Sequence, residues 1–251
     1  MSDSKISPKQ HAIPLIVIGL IIGGICVFIA HYFDWLPAAA SLQADRVDKL
    51  IWFTIYTSIV VYTVVMTFLL YSVWRFRAKP GDERDGSSNH GHTLLEIVWT
   101  LIPTVVIGTT AVWAAIVIVK NENIAKAAPG ALNIDVVGQQ FAWSFTYPDL
   151  GVETGILRVP ADRQIVLTLR SQDVIHSFFV PEARVKGDAV PGITNDRVRF
   201  TMKPETAGNS YTIICTELCG AGHGIMRSRM VVMSPTDYDA WAAKAKASVK
   251  G

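Results

Sequence analysis

The sequence predicts a membrane-anchored all-β protein: an N-terminal transmembrane helical hairpin followed by a Greek-key β-sandwich. Three observations carry that expectation. Residues 12–30, 50–74 and 97–119 contain no Asp, Glu, Lys or Arg. From Leu132 onward, apolar residues recur at alternate positions, the period of a half-buried strand. Pro and Gly punctuate those alternating stretches, from Pro148 and Gly151 through Pro160, Pro181, Gly187, Pro191 and Gly192 to Pro204 and Gly208. Average composition hides this division, since the 251 residues are 50% hydrophobic with a formal net charge of +2. A near-neutral chain lacks the basic footprint of nucleic-acid binding, so no nucleic-acid partner is expected.

At about 1.5 Å rise per residue, the runs at 50–74 and 97–119 each cross a hydrocarbon core of about 30 Å. A helix lets such a segment satisfy its own backbone in lipid. Arg75, Arg77, Lys79 and Arg84 lie between the two runs, which places the hairpin tip on the cytoplasmic side. The chain from Asn121 onward is then outside the cytoplasmic (or inner) membrane. The run at 12–30 follows Lys5 and Lys9, and suits either a signal peptide or an additional spanning helix. Ala38, Ala39 and Ala40 offer a small-residue cleavage site, whereas the run exceeds the usual signal-peptide core of about 7–15 residues. Cys26 has bulky Ile25 before it and apolar residues after it, a poor setting for lipidation. The expected organisation is a leader or extra helix over 1–40, the hairpin over 41–120, the sandwich over 121–236 and a tail over 237–251.

The loop at 78–95 is polar and contains His90 and His92. Without a further ligand nearby in sequence, these read as solvated loop histidines. Glu96 stands where that loop enters the third apolar run. An acid at a helix N-terminus is stabilised by the helix dipole. An ionisable group at membrane depth also marks ion paths, so a proton-entry role stands beside the structural one.

In the exported half, Ile134 and Val136, then Phe141, Trp143, Phe145 and Tyr147, alternate with smaller or polar residues. The stretches 164–170, 197–202 and 211–214 do likewise. Short strands with regular turns predict an antiparallel sandwich with Greek-key connections. Residues 238–249, rich in Ala and Lys, predict a short helix.

The stretch most informative about chemistry is 215–226, C-T-E-L-C-G-A-G-H-G-I-M. It gathers Cys215, Cys219, His223 and Met226, with His176 on an upstream strand as a second imidazole. Thiolate, thioether and imidazole ligands select copper, and no cluster of hard oxygen ligands competes. A mononuclear blue-copper site needs only one Cys, so a pair of coppers bridged by both sulfurs is the arrangement that uses every group. A carbonyl near Glu217 then caps one copper and Met226 the other. A Cys215–Cys219 disulfide, a structural zinc and a core-filling Met226 are the competing readings. Gly220, Gly222 and Gly224 let the chain wrap closely around an ion.

Five ordered blocks resemble subunit II of the cytochrome c oxidases: L-L-E-I-V-W-T-L-I-P, G-Q-Q-F-A-W-S-F-T-Y-P, D-V-I-H-S-F-F-V-P, G-D-A-V-P-G and the 215–226 loop. The resemblance runs from about Asp48 to Pro235. It implies a cupredoxin-like sandwich behind a two-helix hairpin, carrying the binuclear copper centre called CuA. It also implies that His176, Cys215, Cys219, His223 and Met226 are copper ligands. Glu217 would lend its carbonyl to copper and its side chain to a Mg or Mn ion shared with subunit I. Glu96 matches the glutamate at the mouth of a proton channel, and Trp143 an aromatic beneath the copper. The family usually has Trp at the position of Phe141, where electrons enter from cytochrome c, and His at that of Gln139.

The implied partners are subunits I and III, the hemes and CuB of subunit I, and a soluble, tethered or fused cytochrome c as donor. The implied reaction is electron delivery for the reduction of oxygen to water coupled to proton pumping. A CuA subunit of a nitric oxide reductase would look alike, although Glu96 favours the oxidase. A quinol-oxidase subunit would lack the copper ligands. A membrane-tethered copper carrier, from a different functional class, would expose its thiols for handover.

Overall fold

The computed structural model describes residues 8–78, 80–81, 91–122 and 127–248. The chain divides into two compact units, one of Met1–Trp35 with Leu50–Val112 and the other of Leu36–Lys49 with Trp113–Gly251. Three long helices supply the first: α1 (Pro8–Tyr32), α2 (Leu42–Arg75) and α3 (Thr93–Glu122). Their spanning segments have mean hydropathies of 2.9, 1.9 and 2.2, enough by length and composition to cross a bilayer. Among the described residues three helices are thus long and apolar enough to span, with α1 covering the segment expected as a leader or an additional helix.

Small residues bring α1 close to α2. A Cβ at Gly19 would lie 3.3 Å from Thr67 Oγ1, and one at Gly23 would lie 3.5 Å from Thr63. Such spacing suits lipid, where association depends on close packing and polar contacts. His31 Nε2 meets the Tyr56 hydroxyl at 2.9 Å and stacks on Trp52, while His11 meets the Tyr71 hydroxyl near the other end.

Among the described residues, the second unit is a sandwich of ten strands: β1 (Leu132–Gln139), β2 (Ala142–Tyr147), β3 (Val152–Thr154), β4 (Leu157–Pro160), β5 (Gln164–Ser171), β6 (His176–Val180), β7 (Val185–Ala189), β8 (Asn195–Thr201), β9 (Ser210–Cys215) and β10 (Arg227–Met233). One sheet has the order β3-β2-β1-β5-β8 and the other β4-β10-β9-β6-β7. Alternate residues of the inner faces, among them Ile134, Val136, Phe145, Leu167, Phe178, Ile213 and Met230, close the core. The sheets are mixed, because β1 pairs with β5 and β4 with β10 in parallel. Side-chain alternation reports which face is buried and says nothing about the direction of the neighbouring strand.

Several ties hold the sheets together. The Tyr147 hydroxyl on β2 accepts from Arg158 N and donates to Arg158 O on β4, at 2.7 and 2.8 Å. A Cβ at Gly187 would lie 2.3 Å from Val198 and 2.5 Å from Leu169, so β7 can approach the opposite sheet only with glycine there. Helix α4 (Pro235–Ser248) is capped by Ser234, whose Oγ accepts from Asp237 N, and sets Trp241 against Tyr147.

The first turns of α2 belong to this unit. Ser41 caps the helix through Ala44 N at 3.0 Å and donates to Ala183 O at 2.6 Å. Beyond it, Gln43 accepts from Thr201 N, Asp45 pairs with Lys203, and Asp48 pairs with Arg184. Asp45 and Asp48, among the charges that end the apolar run, face basic partners in the sandwich.

Candidate metal centre

Two strands of one sheet and the loop between β9 and β10 build the centre. His176 opens β6, Cys215 closes β9, and Phe178 pairs with Cys215 across the ladder. The loop then turns back through the short 3-10 helix at His223–Ile225 to Met226, whose carbonyl accepts from Cys215 N. His176 and Met226 are fully buried, and Cys215 and Cys219 nearly so.

The candidate ligand atoms converge. The two Sγ atoms lie 3.9 Å apart and both cysteines are free thiols, so the disulfide alternative is not what this structure holds. His176 Nδ1 is 3.9 Å from Cys215 Sγ, and His223 Nδ1 is 3.6 Å from Cys219 Sγ. Met226 Sδ is 3.8 Å from Cys219 Sγ, and the Glu217 carbonyl is 3.3 Å from Cys215 Sγ. Ligands about 2.0–2.3 Å from a shared ion stand about this far from one another. His176, Cys215 and Cys219 place their ligand atoms within 4.8 Å of one another, a group able to hold a metal ion. Three soft sulfurs and two imidazoles are a donor set that fits copper.

Burial, then the charge of Cys215 and its hydrogen bond, push the Cys219 thiol up to about 11 in the metal-free chain. Binding a metal ion therefore expels a proton. Asp173 is the group sequence reasoning missed. Its Oδ1 meets His176 Nε2 at 2.7 Å, which leaves Nδ1 facing the sulfurs. Burial raises the Asp173 carboxyl, but the Gln140 and Val174 amides and the His176 ring more than offset this and hold it at about 2. The signal was its position three residues before a histidine already singled out.

Aromatic residues frame the site differently than their alternation implied. Trp143 is 3% exposed and packs edge-on against His176 at 5.9 Å and Phe178 at 5.7 Å. Phe141 lies outside the strands, in the turn between β1 and β2, and is 36% exposed. Its ring presses on the loop: a Cβ at Gly222 would lie 2.4 Å from it. Leu218 and Ile225, in the same loop, are each 79% exposed.

The family model for the cytochrome c oxidase subunit II transmembrane domain matches residues 28–116, and that for its periplasmic domain matches residues 150–234. A cytochrome c oxidase subunit 2 from Synechocystis is 32% identical over 272 residues, covering 91% of this chain and 81% of its own. The chain belongs to the cytochrome c oxidase subunit II family. Another member, from Thermostichus vulcanus, is 30% identical with 89% and 82% covered, and an alternative subunit 2 from Bradyrhizobium diazoefficiens is 30% identical with 94% and 92% covered. Among solved structures, the periplasmic domain of subunit II from Bradyrhizobium japonicum is 27% identical, covering 50% of this chain and 98% of that one, with a TM-score of 0.43.

Of the remaining family positions, Glu96 is placed in a helix cap. Its Oε1 accepts from His92 N at 3.1 Å, while His92 Nδ1 accepts from Leu95 N at 3.2 Å. This reciprocal pair matches the logic of a capping box and gives His92 a structural task. His90 lies outside the described residues. The Glu217 side chain is exposed.

Proposed function

We propose that this chain is the electron-entry subunit of a cytochrome c oxidase. In this reading it takes electrons from cytochrome c and passes them to the heme-copper subunit I, where oxygen is reduced to water with proton pumping. The observation that carries it is the convergence of two thiols, two imidazoles, a thioether and a carbonyl at separations of 3.3–3.9 Å. Two copper ions bound by His176, Cys215, Glu217 O, Cys219, His223 and Met226 would supply a one-electron carrier. The protein's part is to hold those ligands still. His176 is fixed by Asp173 and flanked by Trp143, both sulfurs are buried, and the loop is pinned by the Met226–Cys215 backbone bond. Such rigidity limits the rearrangement that a change of charge demands. The same burial argues against a carrier, which must present its thiols for handover.

The exposed Glu217 carboxylate is available for the Mg or Mn ion shared with subunit I. Subunit III completes the proposed assembly. Docking of Leu36–Lys49 onto the sandwich supports a topology with both on the outer side. The residues between α2 and α3 then lie on the cytoplasmic side, in line with their arginines.

Phe141 stands at the family's electron-entry position, reaching solvent and touching the loop with buried Trp143 behind it, but the donor is proposed to dock without depending on it. Phenyl lacks the indole donor, and the neighbouring Gln139 and Ala142 are not aromatic. A tethered or fused donor, held at high effective concentration, needs less of a specialised patch. Stopped-flow reduction of the copper-loaded chain by its c-type cytochrome tests this. The native chain is expected to be reduced rapidly, and Phe141→Ala to lose less than about tenfold in rate. No reaction of the native chain, with copper released to a modest chelator, would contradict the electron-transfer reading. A hundredfold loss in the variant, at unchanged copper content, would make Phe141 indispensable.

Glu96 is proposed as the mouth of a proton path. Glutamine retains a side-chain oxygen for His92 N, so Glu96→Gln removes the charge and keeps the cap. Oxygen consumption by the assembled complex should slow several-fold with the copper spectrum unchanged. Unaltered turnover across the working pH range would leave Glu96 with its capping task alone.

A further inference from the structure

The tip of the β1–β2 hairpin comes from one sheet, while the metal ligands come from the other and its loop. Gln140, at that tip, reaches both arms of the centre. Its side-chain Nε2 donates to the Cys219 carbonyl at 2.5 Å. Its backbone N–H donates to Asp173 Oδ2 at 2.7 Å, and the other oxygen of that carboxylate meets His176 Nε2 at 2.7 Å. One residue thus joins the cysteine loop directly and the histidine through a single carboxylate.

The loop is shaped to receive this contact. Gly220 has φ +128°, in the region that favours glycine, and a Cβ there would lie 2.8 Å from Gln140 Nε2. Next to it, Gly222 admits the Phe141 ring. A side chain at Gly222 would run into the Phe141 ring, and one at Gly220 would displace the Gln140 amide from its contact. Gln140 itself is exposed and contributes nothing to the sandwich core.

We infer that Gln140 is a positioning residue of the metal centre, tying the Cys219 loop to the Asp173–His176 arm across the two sheets. The inference rests on the copper reading above. An N–H dipole with its positive end toward the Cys219 carbonyl also favours the reduced, less positive state of whatever the sulfurs hold. Removing it should therefore loosen the loop and lower the midpoint potential together. A substitution that disturbed only the turn would move neither.

The test compares the full-length chain in detergent with Gln140→Leu, which keeps bulk and removes the donor, and Gln140→Glu, which keeps length and reverses the polarity. Gln139→Leu, on the exposed end of β1, is the control. The first readout needs no copper: alkylation of Cys215 and Cys219 in the metal-free chain should quicken several-fold in both Gln140 variants. With copper loaded, retention against a chelator should weaken about tenfold, the lower end for loss of an outer-shell partner. The equilibrium with a one-electron donor should shift about threefold toward the oxidised centre in Gln140→Leu and further in Gln140→Glu. If thiol reactivity, retention and potential in both variants match the native chain and the control, Gln140 does not position the centre. A native chain that binds no copper, with the thiols still freed by the variants, would overturn the proposed function and leave the tie standing as a loop anchor.

Discussion

Replacing Cys219 with serine is expected to convert a two-copper centre into a single-copper one. The two Sγ atoms stand 3.9 Å apart, each with an imidazole nitrogen beside it at 3.9 or 3.6 Å. Sharing two ions between these halves requires both sulfurs as bridges. A serine hydroxyl is a hard ligand that stays protonated at neutral pH, so it replaces neither the charge nor the softness of the thiolate. His176, Cys215 and one further ligand can then still hold one ion. Metal analysis should fall from two coppers per chain to one, with a matching change of spectrum. Two coppers retained in Cys219→Ser, or one metal ion in the native chain, would refute the binuclear reading.

Arg184→Met is expected to release the segment before residue 50 from the sandwich. The Arg184 side chain is 7% exposed and forks onto Asp48 at 2.8 and 3.1 Å. It also donates to the carbonyls of Pro181 and Pro37 at 2.5 and 2.6 Å. Methionine leaves a half-buried carboxylate and two carbonyls without this donor. Breaking a buried pair from one side costs about 3–5 kcal/mol, and the 20% exposure of the Asp48 side chain places this case near the low end. Lysine keeps the charge but not the fork, so Arg184→Lys should lose about half as much. Amide hydrogen exchange across residues 42–49 measures the opening directly. At about 1.4 kcal/mol per tenfold, Arg184→Met should speed it by about a hundredfold. Exchange within threefold of native would mean that Ser41, Gln43 and Asp45 suffice to dock the segment.

That segment also shows where sequence reading reaches its limit. The uncharged run from Leu50 to Trp74 located the apolar part of α2, yet the helix begins at Leu42. Asp45, Arg46 and Asp48 look like the end of a membrane span, because their partners Lys203, Asn121 and Arg184 are distant in sequence. In β7, Gly187 breaks the alternation that marks other strands, and its reason is a close approach by Val198 and Leu169 that no local pattern records. Phe141 continues the alternation of β2 in sequence but belongs to the turn, where it meets Gly222.

The proposed ligands of the loop could be named from sequence for the opposite reason. Cys215, Glu217, Cys219, His223 and Met226 fall within one short loop, so their residue types and spacing describe the chemistry before any fold is known. What supports them was not legible. Asp173 and Gln140 are ordinary polar residues, and their contacts exist only once two sheets have brought the hairpin tip, β6 and the loop together. Glu96 carried both of its readings in sequence, and the His92 contact adds a geometric basis to the structural one.

The central claim is that these side chains bind two copper ions as one unit. Its most direct test is the electron paramagnetic resonance spectrum of the full-length, copper-loaded chain in detergent. The full chain is needed because Leu36–Lys49 belongs to the same compact unit as the sandwich. Hyperfine structure from two equivalent copper nuclei sharing one unpaired electron is the predicted result. A spectrum from a single copper nucleus, or a loaded chain holding one zinc and no paramagnetic centre, would contradict it.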